Sequence, residues 1–339
     1  MRGDSIDIDI SEMKGRYQLE TDNIAGASTR DLMQSLTLYP FGFPVEIMTN
    51  SSEILESAKR SWGHYKSKFS LPPLKLTVEV DSNGGLERPS APIVRVWDGV
   101  LFIVADPNNM IVCNLLKGDA YGWINQASLV DDRYLRYYLL EAAVLSLISA
   151  SRATPVHAAC LSLNGHGFLL CGDSGAGKSS IAYAAAQAGW SYLSDDATYV
   201  ANCAGNLLAF GNSHQMRFRP ETLTLFPELS AKKITPRFAG KPSVEVPTAD
   251  MREVSIVDEV KLDYTIFLKR GSSLPAQLLP VRPEVIRDYV ASTFFKTSEV
   301  RQLQERNMEH ILALKHFDLY YNTFEEALNL LRKLAVSRA

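Results

Sequence analysis

One eight-residue segment constrains the fold of this chain more than any other feature. Gly172 to Ser179 reads Gly-Asp-Ser-Gly-Ala-Gly-Lys-Ser and matches the pattern GxxxxGK[ST]. An apolar run, Phe168 to Cys171, leads into the segment, and an alanine-rich run begins at Ser180. The pattern needs a strand, a glycine-rich turn and a helix in that order, because the turn and the helix N-terminus together bind phosphate oxygens. The sequence therefore predicts an α/β fold with a phosphate-binding loop.

The loop predicts a site for a nucleoside triphosphate. Its glycines allow the backbone to curl, so that several N–H groups point at phosphate oxygens. Lys178 would reach the β- and γ-phosphates, and the Ser179 hydroxyl would bind Mg²⁺. The predicted ligands are ATP and Mg²⁺. The predicted nucleotide-binding residues are Gly172, Asp173, Ser174, Gly175, Ala176, Gly177, Lys178, Ser179 and Ser180.

Two adjacent carboxylates follow the next strand-like run. Asp195 and Asp196 come after Trp190 to Ser194, which starts just behind the helix stop at Gly189. A strand that returned beside the loop strand would bring both carboxylates next to the phosphates. One could then bind or steer Mg²⁺ while the other accepts a proton from an attacking hydroxyl. The competing interpretation is a simple Asp-Asp turn at a strand end.

His157 precedes a predicted hairpin whose second strand enters the loop. Asn164-Gly165 is the strongest short hairpin signal and joins the strand-like runs from Val156 to Leu163 and from Gly167 to Cys171. This hairpin would fold His157 back towards the phosphate site. A structural histidine is the alternative that position alone leaves open.

The pattern along the chain changes near residue 150. Residues 1–35 indicate an irregular or partly strand-forming arm, and three runs within residues 93–115 indicate an antiparallel meander. Helices are predicted from Ser52 to Lys68 and from Arg133 to Ser149. We therefore predict an N-terminal α+β domain over residues 1–150, with a role in substrate recognition.

The remainder, residues 151–339, predicts an α/β catalytic domain. Strand-like runs continue to Leu268, interrupted by an exposed loop from Pro236 to Val246. The stretch from Pro283 to Leu314 is mainly helical in pattern, and a strand and a closing helix follow it. Strands that alternate with helical segments are typical of α/β domains.

Charge and composition exclude several classes of protein. The 35 Lys and Arg residues are outnumbered by 38 Asp and Glu residues, which argues against a dedicated nucleic-acid binder. The acidic start lacks a signal-peptide pattern, and no run reaches the roughly 18 apolar residues of a membrane span. Four cysteines without CxxC spacing indicate buried free thiols in a reducing compartment. We predict a cytoplasmic protein with neither nucleic-acid nor membrane partners.

The ordered set of motifs resembles the catalytic domain of bacterial HPr kinase/phosphorylase. His157, a GxSGxGKS loop, Gly189 and the strand end Ser194-Asp-Asp196 occur in the order of that family, within about residues 150–220. A hairpin that feeds the loop also resembles the related phosphoenolpyruvate carboxykinase core. The resemblance implies a P-loop catalytic domain of the HPr kinase/phosphoenolpyruvate carboxykinase kind, preceded by the α+β domain. Since the family forms hexamers, it also implies a homo-oligomer.

The resemblance assigns a role to each matching residue. Asp196 takes the place of the family's proton acceptor, with Asp195 as its acidic neighbour. Lys178 and Ser179 match the phosphate and Mg²⁺ residues, and His157 matches the active-site histidine. These assignments make His157, Lys178, Asp195 and Asp196 the predicted catalytic residues.

The chain also departs from the family. Its segment His214 to Phe218 is the nearest counterpart of the family's Leu-Glu-Ile-Arg-Gly, so Gln215 replaces a metal-binding Glu. A neutral amide is a weaker Mg²⁺ ligand than a carboxylate. The predicted metal ligands are Ser179, Asp195 and Gln215. The family's Pro-Val-x-Pro-Gly-Arg loop is not recognisable, and Gly240-Lys241 or Arg252 would have to substitute for it.

These observations favour a kinase related to that family but with another substrate. The leading hypothesis is transfer of the γ-phosphoryl group of ATP to a hydroxyl, that of a serine in a protein or peptide other than HPr. One alternative is a small-molecule kinase that acts on free serine or a sugar. The other is a non-catalytic regulator that binds ATP as a conformational ligand.

Overall fold

The structure of the chain is a computed structural model that describes residues 34–81, 89–236, 240–271, 274–296 and 298–336. It is a mixed α/β structure with several sheets. The chain divides into two compact units, Met1–Ile148 and Ser149–Ala339. The predicted N-terminal arm lies outside the described residues as far as residue 33.

The N-terminal unit contains a seven-stranded sheet. Its strands are β1 (Gln34–Leu38), β2 (Val45–Thr49), β3 (Leu74–Asp81), β4 (Ile93–Trp97), β5 (Val100–Asp106), β6 (Asn109–Asn114) and β7 (Asp119–Asn125). The strand order is β1–β2–β3–β7–β6–β5–β4. The predicted meander is confirmed, since β4, β5 and β6 pair antiparallel. In contrast, β3 runs parallel to both β2 and β7, which mixes the two kinds of pairing within one sheet.

The first helix of this unit, α1 (Ser52–Trp62), is shorter than predicted. Gly63 follows it directly, and glycine is a poor helix former. Beyond the glycine, Tyr65 packs edge-on against Phe41 with ring centres 5.5 Å apart, and the rings of Phe43 and Phe69 stack at 4.4 Å. The segment that was predicted to extend the helix instead returns to this aromatic cluster.

The second predicted helix has two parts. Seven residues, Tyr134–Leu140, form a π-helix, and α2 (Glu141–Ser151) continues from it. The side chain of Asp131 accepts hydrogen bonds from the N–H groups of Arg133 and Tyr134 at the start. Such caps satisfy backbone donors that have no partner within the helix.

The C-terminal unit contains twelve strands among its described residues. They are β8 (Thr154–Val156), β9 (Ala159–Leu163), β10 (His166–Cys171), β11 (Ser191–Ser194), β12 (Thr198–Cys203), β13 (Asn206–Gly211), β14 (Gln215–Phe218), β15 (Val244–Pro247), β16 (Ser255–Ile256), β17 (Val260–Arg270), β18 (Gln277–Pro280) and β19 (Lys315–Tyr321). Ten belong to one sheet, whose order begins β16–β11–β9–β10–β17. The start of β17 then pairs with β13, which leads to β12 and β8, and its later part pairs with β19 and through it with β18.

The helices of this unit are α3 (Lys178–Gln187), α4 (Pro283–Ala291), α5 (Ser298–Leu312) and α6 (Phe324–Val336). The predicted helical stretch from Pro283 to Leu314 is therefore two helices. The predicted exposed loop ending at Val246 is partly wrong as well. Its last residues form β15, because Val244 and Val246 are buried and pair with β14 as a separate two-stranded sheet.

The strand that carries the loop, β10, is buried on both faces. Phe168 and Leu170 pack in one core with Trp190, whereas Leu169 and Cys171 pack in the opposite core. Each such side chain contributes roughly 1.5–3 kcal/mol by leaving water. A central strand held from both sides gives the following loop a fixed starting point.

The predicted free thiols are confirmed. Cys113, Cys160 and Cys171 are buried and Cys203 is half-buried, and none is in a disulfide. Burial raises the pKa of the first three thiols well above its ordinary range, so they behave as small apolar groups. Within the described ranges, we find no helix with both the length and the apolar character needed to cross a membrane.

Candidate functional site

Three segments meet at one edge of the ten-stranded sheet because of their strand directions. β10 ends there at Cys171, and the loop follows. β9 runs antiparallel to β10 and therefore begins at this edge, just after His157. β11 runs antiparallel to β9 and therefore ends at this edge, just before Asp195.

One detail of the predicted placement is wrong. The acidic strand β11 does not lie beside the loop strand, because β9 pairs with both β10 and β11 and separates them. Strands that are two places apart lie roughly 10 Å from each other. The hairpin joined by Asn164-Gly165 therefore inserts into the sheet, and it places His157 between the loop and the acidic pair.

Glycines allow the backbone of the loop to adopt its conformation. Gly175 and Gly177 have φ values of 92° and 96°, in the left-handed region that other residues adopt at a cost. A Cβ atom at Gly177 would lie 3.0 Å from the hydroxyl oxygen of Tyr321. Gly177 is also the N-cap of α3, so the first N–H groups of that helix point into the loop, as an anion site requires.

Lys178 is held at the centre of the loop. Only 6% of the residue is exposed. Its Nζ atom donates to the carbonyl oxygens of Gly172 at 2.8 Å and Asp173 at 3.3 Å, and lies 3.1 Å from Nε2 of His157. Burial lowers the pKa of Lys178, and the nearby charge of Asp196 acts against this shift.

The partners of His157 indicate its tautomer. Burial and the Lys178 charge lower the pKa of His157, so the ring is neutral at pH 7. Because an ammonium group only donates, Nε2 accepts from Lys178, which leaves the proton on Nδ1. Nδ1 then faces the Asp196 carboxylate, whose Oδ1 atom lies 3.2 Å away. Lys178, His157 and Asp196 therefore follow one another in a polar row, each within 3.2 Å of the next.

The first carboxylate of the pair, Asp195, is buried, with 7% of the residue exposed. It accepts a hydrogen bond from the Tyr192 hydroxyl at 3.2 Å and one from the backbone N–H of Arg217 at 2.9 Å. Burial raises the pKa of Asp195 to about 6, and the Asp196 charge adds to this. The hydrogen bonds from Arg217 and from the Ser179 hydroxyl act in the opposite direction.

The second carboxylate, Asp196, is open to solvent, with 47% of its side chain exposed. Nδ1 of His157 lies 3.2 Å from one of its oxygens, and the Arg217 guanidinium lies 4.0 Å from the other. Arg217 is itself paired at 3.3 Å with Glu245, the residue opposite it on β15. Asp196 is therefore oriented from two sides and accessible from the cleft.

The donor set next to the loop fits Mg²⁺. The Ser179 hydroxyl and the Asp195 carboxylate are in contact, and Mg²⁺ prefers oxygen ligands of this kind. Nowhere in the described ranges do three or more His, Cys, Asp or Glu side chains form a metal centre. Gln215 does not line the cleft. Its backbone carbonyl accepts a hydrogen bond from the Tyr192 hydroxyl.

These groups line a cleft of about 240 Å³. The sequence predicted the side of this cleft that the loop, the histidine and Asp196 form, but it did not predict the opposite side. The lining residues are His157, Ser174, Gly175, Gly177, Lys178, Ser179, Ser180, Asp196, Arg219, Glu221, Thr222, Leu225 and Arg270. Arg270 ends β17, which is parallel to β10, and ligands of α/β sheets bind at such strand ends. That rule was the available signal for Arg270, whereas Lys241 and Arg252 do not line the cleft.

Two tyrosines hold the loop from outside the motif. The hydroxyl of Tyr289, on α4, accepts a hydrogen bond from the Gly172 N–H at 3.1 Å. The same hydroxyl can donate to the carbonyl oxygen of His157 at 2.5 Å or to that of Gly172 at 3.0 Å. The Tyr321 hydroxyl donates to the carbonyl of Ala176 at 3.2 Å. Nothing in the local sequence marks Tyr289, because it lies far along the chain from the loop.

No family model matches the chain, and no curated protein matches it either. Among solved structures, the chain is similar to the Hpr(Ser) kinase/phosphatase from Coxiella burnetii. The likeness covers 55% of this chain and 92% of that chain, with 11% sequence identity and a TM-score of 0.33. This is a distant resemblance.

Proposed function

We propose that this chain is an ATP- and Mg²⁺-dependent phosphotransferase whose acceptor is the hydroxyl of a serine in a protein or peptide other than HPr. One observation carries the proposal. The loop residues Lys178 and Ser179, the neutral His157 and the two carboxylates share one edge of one sheet. A phosphate-binding turn alone would explain the loop, but it would not explain why the acidic pair and the histidine lie beside it.

The loop would bind the triphosphate through the N–H groups at the start of α3 and through the ammonium of Lys178. Mg²⁺, held by Ser179 and Asp195, would neutralise charge on the β- and γ-phosphates. Burial disfavours the ionised form of Asp195 in the ligand-free protein, and a bound Mg²⁺ would offset this.

Asp196 would act as the proton acceptor. The acceptor oxygen forms a bond to the γ-phosphorus, the bond from that phosphorus to the bridging oxygen of ADP breaks, and the hydroxyl proton passes to Asp196. The His157 Nδ1–H, with Nδ1 3.2 Å from Oδ1 of Asp196, would orient the base for proton transfer. Since Asp196 is about half exposed, a serine carried on a polypeptide can reach it without being enclosed.

Phosphoryl transfer from γ-labelled ATP tests the proposal. The protein is incubated with Mg²⁺ and a host lysate, and in parallel with serine peptides, free serine and sugars. We expect label in a protein or peptide, on serine, and none in the small molecules. Asp196→Asn should abolish labelling and keep ATP binding within a few-fold of the wild type, since Asp196 acts on the acceptor.

Three results would contradict the proposal. Label in free serine or a sugar would indicate a small-molecule kinase. Tight ATP binding without transfer to any acceptor would support the regulator instead. Failure of the wild type to bind ATP would remove the premise of both hypotheses.

A further inference from the structure

We propose that Arg270 is a further phosphate-binding residue, which holds the triphosphate from the side of the loop opposite the carboxylates. This inference rests on the proposed function and adds a residue outside the loop motif. Arg270 is the last residue of β17, the strand that pairs with β10 on the side away from β9. The loop is thereby flanked by carboxylates on one side and by a guanidinium on the other.

The position of Arg270 relative to the loop supports this role. The registers pair Cys171, the last residue of β10, with Phe267, so β17 extends three residues past the start of the loop. The Cδ atom of Arg270 is 3.9 Å from where a Cβ at Gly177 would lie. Gly177 is the residue from which the first N–H groups of α3 point at an anion.

No described residue neutralises the charge of Arg270. Across the described ranges, its guanidinium forms neither an ion pair nor a hydrogen bond. The preceding residue, Lys269, is paired with Asp318 at 3.8 Å. An arginine that lines the cleft and donates to no described residue is suited to an incoming anion.

Phe324 orients the guanidinium. The Arg270 guanidinium carbon lies 5.1 Å from the centre of the Phe324 ring, within the range of a cation–π contact. Such stacking uses the face of the guanidinium and leaves its N–H groups, which lie in the plane, available for phosphate oxygens. The same geometry would allow a nucleobase to stack on the outer face, and the experiment distinguishes the two ligands.

Binding of Mg²⁺-ATP and of Mg²⁺-tripolyphosphate, measured by calorimetry, tests the inference. Tripolyphosphate carries the anionic part of ATP without base or ribose. We expect Arg270→Ala to weaken both ligands by a similar factor of about 10–100, the usual range for hydrogen bonds to a charged group. Arg270→Lys should restore part of the affinity, and the control Lys269→Ala should stay within about twofold of the wild type.

The inference is overturned if Arg270→Ala weakens ATP but not tripolyphosphate, because the arginine would then bind the base or ribose. It is equally overturned if neither affinity changes while the wild type binds both ligands. A wild type that binds neither ligand would instead refute the proposed function and this inference together. Unchanged melting temperatures of the variants, expected for an exposed residue, show that lost affinity is not lost folding.

Discussion

The two flanks of the glycine-rich loop from Gly172 to Ser179 are built differently. On the β9 and β11 side, His157, Asp195 and Asp196 each have protein partners, and every contact restricts a donor or an acceptor. On the β17 side, Arg270 has a stacking contact but no polar partner among the described residues. The acidic flank is therefore fixed by its protein partners, whereas among the described residues the Arg270 guanidinium has no polar partner that a ligand would have to replace.

The two carboxylates of the acidic flank also differ in how deeply they are buried. Asp195 is buried, whereas Asp196 is about half exposed and lines the cleft. Burial raises the pKa of Asp195 to about 6. The same residue type thus has two environments one position apart, which is how paired carboxylates acquire different tasks.

The largest predicted effect is on the acidic flank. Asp196→Asn should lower the transfer rate by about 10²–10⁴-fold, as removal of a general base does. His157→Ala should lower it by about tenfold, because His157 acts by orienting Asp196. If the two residues act as one unit, the double variant is no slower than Asp196→Asn alone. Steady-state rates with the labelled acceptor check this. If the rate loss of the double variant equals the product of the two single losses, the two residues act independently.

The second prediction concerns the stability of the ligand-free protein. The raised pKa of Asp195 means that the fold favours the protonated carboxyl, so its stabilisation is complete below its ordinary pKa of 3.8 and is lost as the pH rises through about 6. Asn cannot ionise, and its amide can donate to the Tyr192 oxygen while its carbonyl accepts from the Arg217 N–H. We expect Asp195→Asn to gain about 2 kcal/mol relative to the wild type between about pH 4.5 and pH 7.5.

Urea unfolding at the two pH values measures this change. If the difference in stability between Asp195→Asn and the wild type is the same at both pH values, Asp195 ionises normally in the folded protein. Glu228→Gln is a suitable control, because Glu228 is an exposed carboxylate away from the acidic pair that accepts one hydrogen bond from Tyr183.

A smaller effect is expected from Tyr289→Phe. Loss of the hydroxyl leaves the buried Gly172 N–H without its acceptor, which costs about 1–3 kcal/mol in the free energy of unfolding. Since Tyr289 ties the first loop residue to the His157 backbone, the affinity for ATP should also fall several-fold. Tyr264→Phe is the matched control, because it removes a hydroxyl bonded to the Leu334 carbonyl outside the cleft. Equal losses of ATP affinity in both variants would argue against a positioning role.

The smallest predicted effect is that of Tyr321→Phe on the β19 side. The Tyr321 hydroxyl makes a single hydrogen bond, to the half-buried carbonyl of Ala176. We expect a loss of about 0.5–1.5 kcal/mol in the free energy of unfolding, measured by urea unfolding beside Tyr289→Phe. A larger loss than that of Tyr289→Phe would show that the loop is held mainly from the β19 side.

Local patterns predicted the elements around the loop well. The hairpin at Asn164-Gly165 and the helix after Lys178 follow from residues within a few positions, because turn and helix preferences are local. The predictions were wrong where tertiary contacts override such preferences. Helix α1 ends at Trp62 because the aromatic residues that follow it have partners elsewhere, and β15 forms because a second strand pairs with it.

By itself, the sequence determined the strand, loop and helix of the proposed phosphate site, and it predicted the histidine and the acidic pair of that site. The tertiary structure decided which carboxylate is buried, which proton His157 carries, and that Tyr289 and Arg270 belong to the same site. The physical reason lies in the range of the interactions. A glycine-rich turn depends on its own backbone, whereas burial, a hydrogen-bond partner or an unneutralised charge depends on strands brought together from distant parts of the chain.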